Sequence, residues 1–558
     1  MKRARLVLIL AFAALFAAIA PASALSRANL SPAPLNPDYI RYLEDVRAGR
    51  DRGTIPPKAY LSPQADARRT DPARAATPER SFDLVQKGWI TPVKAQIGWG
   101  TCWDFATMEA IESNLKKETG VEHDLSELHL GFFAYYDESA EKPAFDKHPT
   151  NNRNPIFDNG GTARISTAIL SRGTGPVDGA AAPYPDADPS DDKFWLNFPE
   201  DPEVLRDELL AVPNLFRLKE SLTFHTSDDI KRALMEYGGL WVTFCADMPD
   251  LSDPYILSSD TTINHAVLLV GWNDDLSRDL FKGPNAGYKS PNIDGGWKIQ
   301  NSWGLSRDKD GKEVQMGDDG YYWISYADTS IEYGFEQLGV SSFVAMPVDS
   351  YRHTYSHDPL GMTFALDVDD TSVTAANVFT SERNEDIVRV GFWTEGHDVD
   401  YAIQVYRGVP ADGNPDDGTP AFDAPLRGHA AFPGYRTVEL ATPVPLNKGE
   451  RFAVVVTLES NDEILLPVEA MVNGSPSKAT FELGESYIRT DDDGWVEAWT
   501  LSESGTDDDG DPYDIVIANV TIKAFTNDAN RSSSSSGCAT GAFALVLMVA
   551  IPVLLRKR

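Results

Sequence analysis

An α+β domain followed by an all-β sandwich is the architecture the sequence predicts, and three observations carry that expectation. The chain has 558 residues, too many for one compact core, so two or more folded units are expected. Between Ser81 and Val344 helical and strand-like patterns alternate. Beyond Asp349 runs of β-type residues recur between clusters of Gly, Pro, Asn and Asp, with no long helical pattern among them, as in a sandwich of about one domain's size. The composition, 42% hydrophobic and 10% aromatic, is that of a globular protein rather than a disordered or fibrous one. A formal net charge of −34 would repel a phosphate backbone, which argues against a nucleic-acid partner.

Taken in order, residues 1–24 read as an export signal. Lys2, Arg3 and Arg5 precede an apolar run, and Ala22-Ser23-Ala24 supplies the small residues of a cleavage site. Residues 25–80 are rich in Pro, Ala, Arg and Asp and read as an N-terminal extension or propeptide. Within it Tyr39, Tyr42, Leu43 and Val46 mark one short amphipathic helix. In the third unit, residues 81–345, a helix starts at Cys102. Phe105, Met108, Ile111 and Leu115 recur at helical spacing, Lys116 and Lys117 suit its negative end, and Gly120 stops it. Strands are expected at 240–244, 266–270, 297–299 and 321–326. The β domain covers 350–526, with strands at 387–394, 402–406, 452–458 and 515–525. A serine-rich linker (527–536) then leads to residues 537–558, where Gly537-Cys538, an apolar stretch and Arg556-Lys557-Arg558 follow one another. This tail resembles the three-part C-terminal sorting signals of bacterial surface proteins. Its basic end would stay cytoplasmic and the rest would face outward. Both ends predict export to the cell envelope or surface, with membrane attachment through the tail and C-terminal processing as a route to release.

Only three cysteines occur, Cys102, Cys245 and Cys538, so no disulfide framework is available. An unpaired thiol kept in an exported chain suggests chemistry rather than packing. Cys102 opens its helix, where backbone N–H groups and the macrodipole stabilise a thiolate. Gln96 lies in a glycine-containing turn just before it, placed to donate to an oxyanion together with the Cys102 backbone N–H. His265 stands at the mouth of the apolar run Ala266-Val-Leu-Leu-Val270, a rigid mount for an imidazole. Asn301, at the end of Trp297-Lys-Ile-Gln-Asn301-Ser-Trp303-Gly304, is placed to orient His265, with Trp303 covering the contact. Nucleophile, base, orienter and oxyanion donor together meet the requirements of covalent acyl transfer. The expected resting state is a Cys102 thiolate beside protonated His265.

These segments resemble the papain family of cysteine peptidases, and the likeness covers roughly residues 81–344. By that resemblance Cys102, His265, Asn301 and Gln96 are the catalytic residues. The fold it implies is a two-lobed domain, one lobe helical and one β-barrel-like. Asp124-Leu-Ser-Glu127, Asn159-Gly160-Gly161 and Gly320-Tyr321 are similar to further family segments. Asn159, Gly160 and Gly161 look like the strip that pairs with an extended substrate, and Asn264 and Trp303 are further substrate-side candidates. The chain departs from the family in three places. The first is a longer Cys-to-His interval of 163 residues, in which the acidic, proline-rich stretches 137–158 and 183–202 read as insertions, as does 273–295 between His265 and Asn301. The usual disulfide partners are replaced by Trp99 and Asp158, which leaves that loop held by packing. Asp104 stands where a small residue is usual; as a carboxylate it favours a helix N-terminus but raises the pKa of a neighbouring thiol.

Other features have plainer readings. Cys245 ends an apolar strand and reads as packing, with the cleft wall or a disulfide to Cys102 as alternatives. The acidic clusters at 491–493 and 507–511 read as solvated turns rather than calcium loops, and no metal or cofactor is predicted. The β region resembles the lectin-like domain that follows papain-like domains in some bacterial surface proteins. Trp495 and Trp499 read as core, with sugar stacking as the alternative. The predicted function is a secreted or surface-anchored cysteine endopeptidase acting on polypeptides, with carbohydrate as a further partner of the β domain. An inactive papain-like protein that binds peptides or glycans is the first alternative, and acyl transfer to an amine is the second.

Overall fold

The computed structural model describes residues 25–48, 56–59, 78–136, 156–185, 202–248, 250–282, 291–309, 312–473, 479–506 and 512–529. The export signal, the sorting tail with Cys538, and most of the two acidic stretches read as insertions lie outside these residues. So does the acidic cluster at 507–511. Among the described residues no helix is long and apolar enough to cross a membrane.

The helical lobe is built on Cys102–Thr119, with Glu127–Tyr135 and Ala163–Ser171 beside it. Gly120 ends the first helix in the left-handed conformation (φ 73°), its N–H returning to the Lys116 carbonyl, as a Cβ-free residue permits. The helix is not the one-sided element that its Phe105, Met108, Ile111 and Leu115 stripe suggests. Every residue from Trp103 to Leu115 is buried, the polar Glu109, Glu112 and Asn114 among them. Glu112 is satisfied there by Lys94 Nζ at 2.7 Å, Thr91 Oγ1 at 2.7 Å and the Leu125 N–H at 2.7 Å.

The second lobe is built on four antiparallel strands, with Tyr255–Ile256 added in parallel at its edge. Leu240–Phe244 pairs with His265–Asn273, which pairs with Gly296–Gln300, which pairs with Tyr321–Ser325. All four strands fall where the apolar runs predict them. The α+β domain followed by an all-β region is therefore the observed fold. In the β region a seven-stranded antiparallel sheet is centred on Ser372–Thr380, Val399–Arg407 and Arg451–Glu459. It packs against Ile464–Val472, Pro512–Val520 and Ile522–Asp528. The predicted strand at 515–525 is two strands, broken at Thr521.

Two connections were not anticipated from the pattern. Phe216–Phe224 in the first domain pairs with Gly434–Leu446 of the β region, so one thirteen-stranded sheet runs through both domains. Gly434 permits the join: its φ is +131°, and a Cβ there would lie 2.2 Å from the Ser221 carbonyl oxygen. The N-terminal extension is also part of the fold. Its expected helix forms as Pro37–Arg47, with Tyr39 and Tyr42 buried. Leu30–Pro32 adds an antiparallel edge strand to Phe364–Val368 in the β region.

Candidate active site

Cys102 is the first residue of its helix, and the preceding Thr101 makes no side-chain cap, so the helix N-terminus is free to face the sulfur. The thiol is partly exposed and accepts a hydrogen bond from the Ala266 N–H at 3.4 Å. His265 opens the adjacent strand and is buried. Its Nε2 lies 2.8 Å from Asn301 Oδ1. That oxygen also accepts the Ser302 N–H at 2.8 Å, which identifies it as the amide oxygen. His265 Nε2 therefore carries the proton, and Nδ1 is the basic nitrogen in the neutral ring. Trp303 covers the imidazole with ring centroids 4.8 Å apart.

Gln96 is buried and held on both sides. Its Nε2 donates to the Trp99 carbonyl at 2.8 Å, its Oε1 accepts from Ser302 Oγ at 2.6 Å, and its backbone N–H donates to the Ser302 carbonyl at 2.8 Å. One amide hydrogen remains for an oxyanion. Ser302 thus braces Gln96 and Asn301 at once. Tyr184 is the second brace: its hydroxyl donates to the Gln96 carbonyl at 3.0 Å and meets Thr101 Oγ1 at 2.6 Å. Neither was singled out from the sequence. Ser302 lies inside a segment already quoted for Asn301, whereas Tyr184 lies in an acidic, proline-rich stretch that reads as an insertion.

The loop before Cys102 keeps its shape without a disulfide. Trp99 stacks on Phe157 at 5.2 Å, and the Asp158 carboxylate accepts the Gly100 N–H at 3.1 Å. The expectation that packing alone holds this loop is therefore incomplete: the two replacement positions supply an aromatic stack and a charge-assisted hydrogen bond.

The structure brings Gly161 against Trp103, the residue after Cys102. Gly160 has φ 70° and its carbonyl accepts the Tyr135 hydroxyl at 2.7 Å; a Cβ on Gly161 would lie 2.3 Å from the Trp103 indole. Asn159 is buried and donates to the Ile156 carbonyl at 3.1 Å. The Asn264 side chain braces the neighbouring loop, accepting the Ala246 N–H at 2.8 Å and donating to Asp247 at 3.0 Å. The amides of Asn159 and Asn264 are thus engaged within the protein. Cys102 and Cys245 are both free thiols, and Cys245 is buried; no disulfide joins them.

Burial dominates the electrostatics. It pushes the Cys102 thiol up to about 11, against the opposing Ala266 N–H, and Asp104 adds to the rise. It pulls His265 down to about 4, against the hydrogen bond to Asn301. Desolvation of the two groups opposes the ion pair expected from the sequence, while the Ala266 N–H and the Asn301 hydrogen bond favour it. Asp104 is fully buried and neither carboxyl oxygen has a hydrogen-bond partner among the described residues. Burial, and then Glu127, push its pKa well above the usual range. Gly131 makes room for it, since a Cβ there would sit 2.5 Å from Asp104 Oδ2.

In the β region Trp495 is half-buried, its Nε1 donating to Asp416 at 2.8 Å. Trp499 is 37% exposed and stacks flat on Phe481 at 5.8 Å, so the core reading of Trp499 is incorrect. The turn at 491–493 binds the extension: Asp492 accepts the Ser26 hydroxyl and the Asp491 N–H donates to the Leu25 carbonyl. Among the described residues no group of three or more His, Cys, Asp and Glu is arranged to hold a metal ion.

Residues 78–131 match the family described as papain family cysteine protease, and residues 354–526 match the family described as lectin-like domain. The crystal structure of the cysteine protease and lectin-like domains of Cwp84, a surface layer associated protein of Clostridium difficile, is similar over 90% of this chain and 99% of that one. The TM-score is 0.68 and the identity 22%. The same clostridial protease after propeptide cleavage covers 80% of this chain and 99% of its own, with TM-score 0.63 and 22% identity. Mouse cathepsin S is 25% identical over 275 residues, 48% of this chain and 63% of its own length. Mouse cathepsin K is 50% identical over 40 residues, 7% of this chain and 12% of its own. The chain thus spans less than two thirds of the curated relatives it matches. The fold of the Cwp84 domains and the two family matches agree in order along the sequence: a segment that matches the papain family of cysteine proteases precedes one that matches the lectin-like domain family.

Proposed function

We propose that the protein is an exported cysteine endopeptidase of the cell envelope or surface that hydrolyses polypeptides through Cys102, His265, Asn301 and Gln96. The observation that carries this reading is the bracing of His265 Nε2 on Asn301 at 2.8 Å, which leaves Nδ1 as the base in a domain whose helix N-terminus presents a free thiol. As a peptide carbonyl docks, His265 Nδ1 takes the Cys102 proton and the sulfur attacks the carbonyl carbon. The oxyanion forms against the Cys102 N–H and the remaining Gln96 amide hydrogen. The C–N bond then breaks, and His265 returns the proton to the departing amine. Water, activated by the same nitrogen, cleaves the thioester, releasing the acid and the Cys102 thiol.

Two further parts of the reading rest on the fold. The extension acts as a propeptide: Asp38, Arg41 and Tyr42 lie in a cleft shared with Ile263 and Tyr333, two residues from His265, and the Tyr333 hydroxyl donates to Asp38. The lectin-like domain binds carbohydrate, with the exposed Trp499 as the candidate stacking side chain. Export, surface location and attachment through the tail are proposed from the two chain ends and from the likeness to a surface layer associated protein.

The test is hydrolysis of a denatured protein by processed wild type, Cys102→Ala and Gln96→Ala. Expected are complete loss for Cys102→Ala and a fall of about 10²–10³-fold in kcat for Gln96→Ala, the usual effect of removing one oxyanion donor. Equal turnover by Cys102→Ala would refute the proposal. Inactive but folded wild type would favour the peptide- or glycan-binding alternative.

A further inference from the structure

We propose that Asp158 is a positioning residue for the oxyanion site: through the one peptide group that joins Trp99 to Gly100, its carboxylate sets the orientation of the Gln96 amide. This rests on the peptidase reading. The Gly100 N–H donates to Asp158 Oδ1 at 3.1 Å, and the Trp99 carbonyl accepts from Gln96 Nε2 at 2.8 Å. That N–H and that carbonyl belong to the same peptide unit, which is planar and trans, so they point in opposite directions. Holding the N–H on Asp158 therefore aims the carbonyl at Gln96.

Each link in this relay passes on a direction. A carboxylate only accepts, so it pairs with the N–H edge of the peptide and repels the carbonyl edge. The Trp99 carbonyl also only accepts, so it takes the nitrogen end of the Gln96 amide and leaves the oxygen end to Ser302 Oγ at 2.6 Å. One Nε2 hydrogen is then committed to Trp99, and the other is left for an oxyanion. Rotating the Trp99–Gly100 peptide by half a turn would set its carbonyl against Asp158 and its N–H against the Gln96 nitrogen, and both contacts would become unfavourable. The charge-assisted hydrogen bond at the N–H also polarises the peptide, which strengthens its carbonyl as an acceptor.

The surroundings keep the relay stiff. Gln96, Trp99 and Asp158 are buried, where a hydrogen bond is electrostatically stronger than in water. The Trp99 indole stacks on Phe157 at 5.2 Å and meets Tyr184 edge-on at 5.5 Å, which fixes the residue that carries the carbonyl. Gly100 lies so near the other side of the cleft that a Cβ on it would be 3.3 Å from Asp158 Oδ1 and from the Gly160 nitrogen. Asp158 thus acts on the reaction through Gln96, and its effect is separable from an effect on the thiol.

The experiment measures peptide hydrolysis and Cys102 alkylation by iodoacetamide on processed full-length protein. Alkylation is displacement at a saturated carbon and forms no oxyanion, so it reports on the thiol without Gln96. Asp158→Ala and Asp158→Asn are each made in the wild-type and Gln96→Ala backgrounds, with melting curves to confirm that every protein is folded. Asp158→Ala is expected to lower kcat about ten-fold with KM within about two-fold, the usual worth of a charge-assisted hydrogen bond. Asp158→Asn, which keeps an acceptor oxygen, should lose about three-fold. In the Gln96→Ala background both substitutions should change kcat by less than about two-fold, and alkylation rates should stay within about two-fold of wild type throughout. If Asp158→Ala does not fold, the Asp158→Asn pair carries the same comparison. Unchanged kcat in the folded Asp158 variants, an equal loss with and without Gln96, or a fall in alkylation that matches the fall in kcat would overturn this inference alone. Absence of hydrolysis and of Cys102 modification in wild type would overturn the peptidase reading, and this inference with it.

Discussion

Residue by residue, the site is governed by desolvation. Cys102 and His265 sit where both charged forms lose water, and the hydrogen bonds from Ala266 and to Asn301 recover only part of the loss. Asp104 is the residue that distinguishes this site. Its ionised form raises the Cys102 pKa, and its carboxyl has no hydrogen-bond partner among the described residues. Asp104→Ala should therefore move the pH profile of thiol alkylation by iodoacetamide to lower pH. It should also leave stability unchanged or raise it by about 1–3 kcal/mol, the usual cost of an unsatisfied buried polar group. An unshifted or upshifted alkylation profile would show that Asp104 does not act on the thiol. At this scale the four catalytic candidates were legible because each stands in a contiguous motif whose local structure dictates its direction. Ser302 and Tyr184 were not, because their contacts to Gln96 join positions far apart in sequence.

Among the elements, the Cys102–Thr119 helix shows why periodicity misleads. Its apolar stripe is real, but the opposite face is buried too, and polarity there reports on enclosed partners rather than on solvent. Glu109 lies at the edge of the stripe, buried, with Gln300 beside it, and burial pushes it up to about 8. A carboxyl raised in the folded state binds more protons folded than unfolded. Its contribution is fully present below about 4.5, the unfolded value, and is lost as the pH rises through about 8. The melting temperature should accordingly fall across that window, and Glu109→Gln should flatten the slope. An identical slope in the variant would place the titration elsewhere. The strands of both domains were legible because alternation and apolar runs report directly on sheet faces. Leu30–Pro32 was not, since three residues of edge strand carry no periodic signal and are ordered only by Phe364–Val368.

For the whole molecule, the sequence reads as units in series, and the structure ties them together. Strand pairing crosses from the first domain into the lectin-like domain, and the extension is stitched to the lectin-like sheet at Leu30–Pro32 while its helix lies against the cleft. Such pairings are set by tertiary contact, which is why composition and periodicity do not report them. Cys102 is the free thiol at the N-terminus of the Cys102–Thr119 helix in that arrangement. The most direct measurement is modification of the processed protein by a peptide epoxide, with the adduct located by mass spectrometry. One equivalent on Cys102, none on Cys245, and none in Cys102→Ala is the expected result. A folded, reduced protein that remains unmodified at Cys102, or one modified at Cys245 instead, would contradict the assignment of Cys102 as the nucleophile.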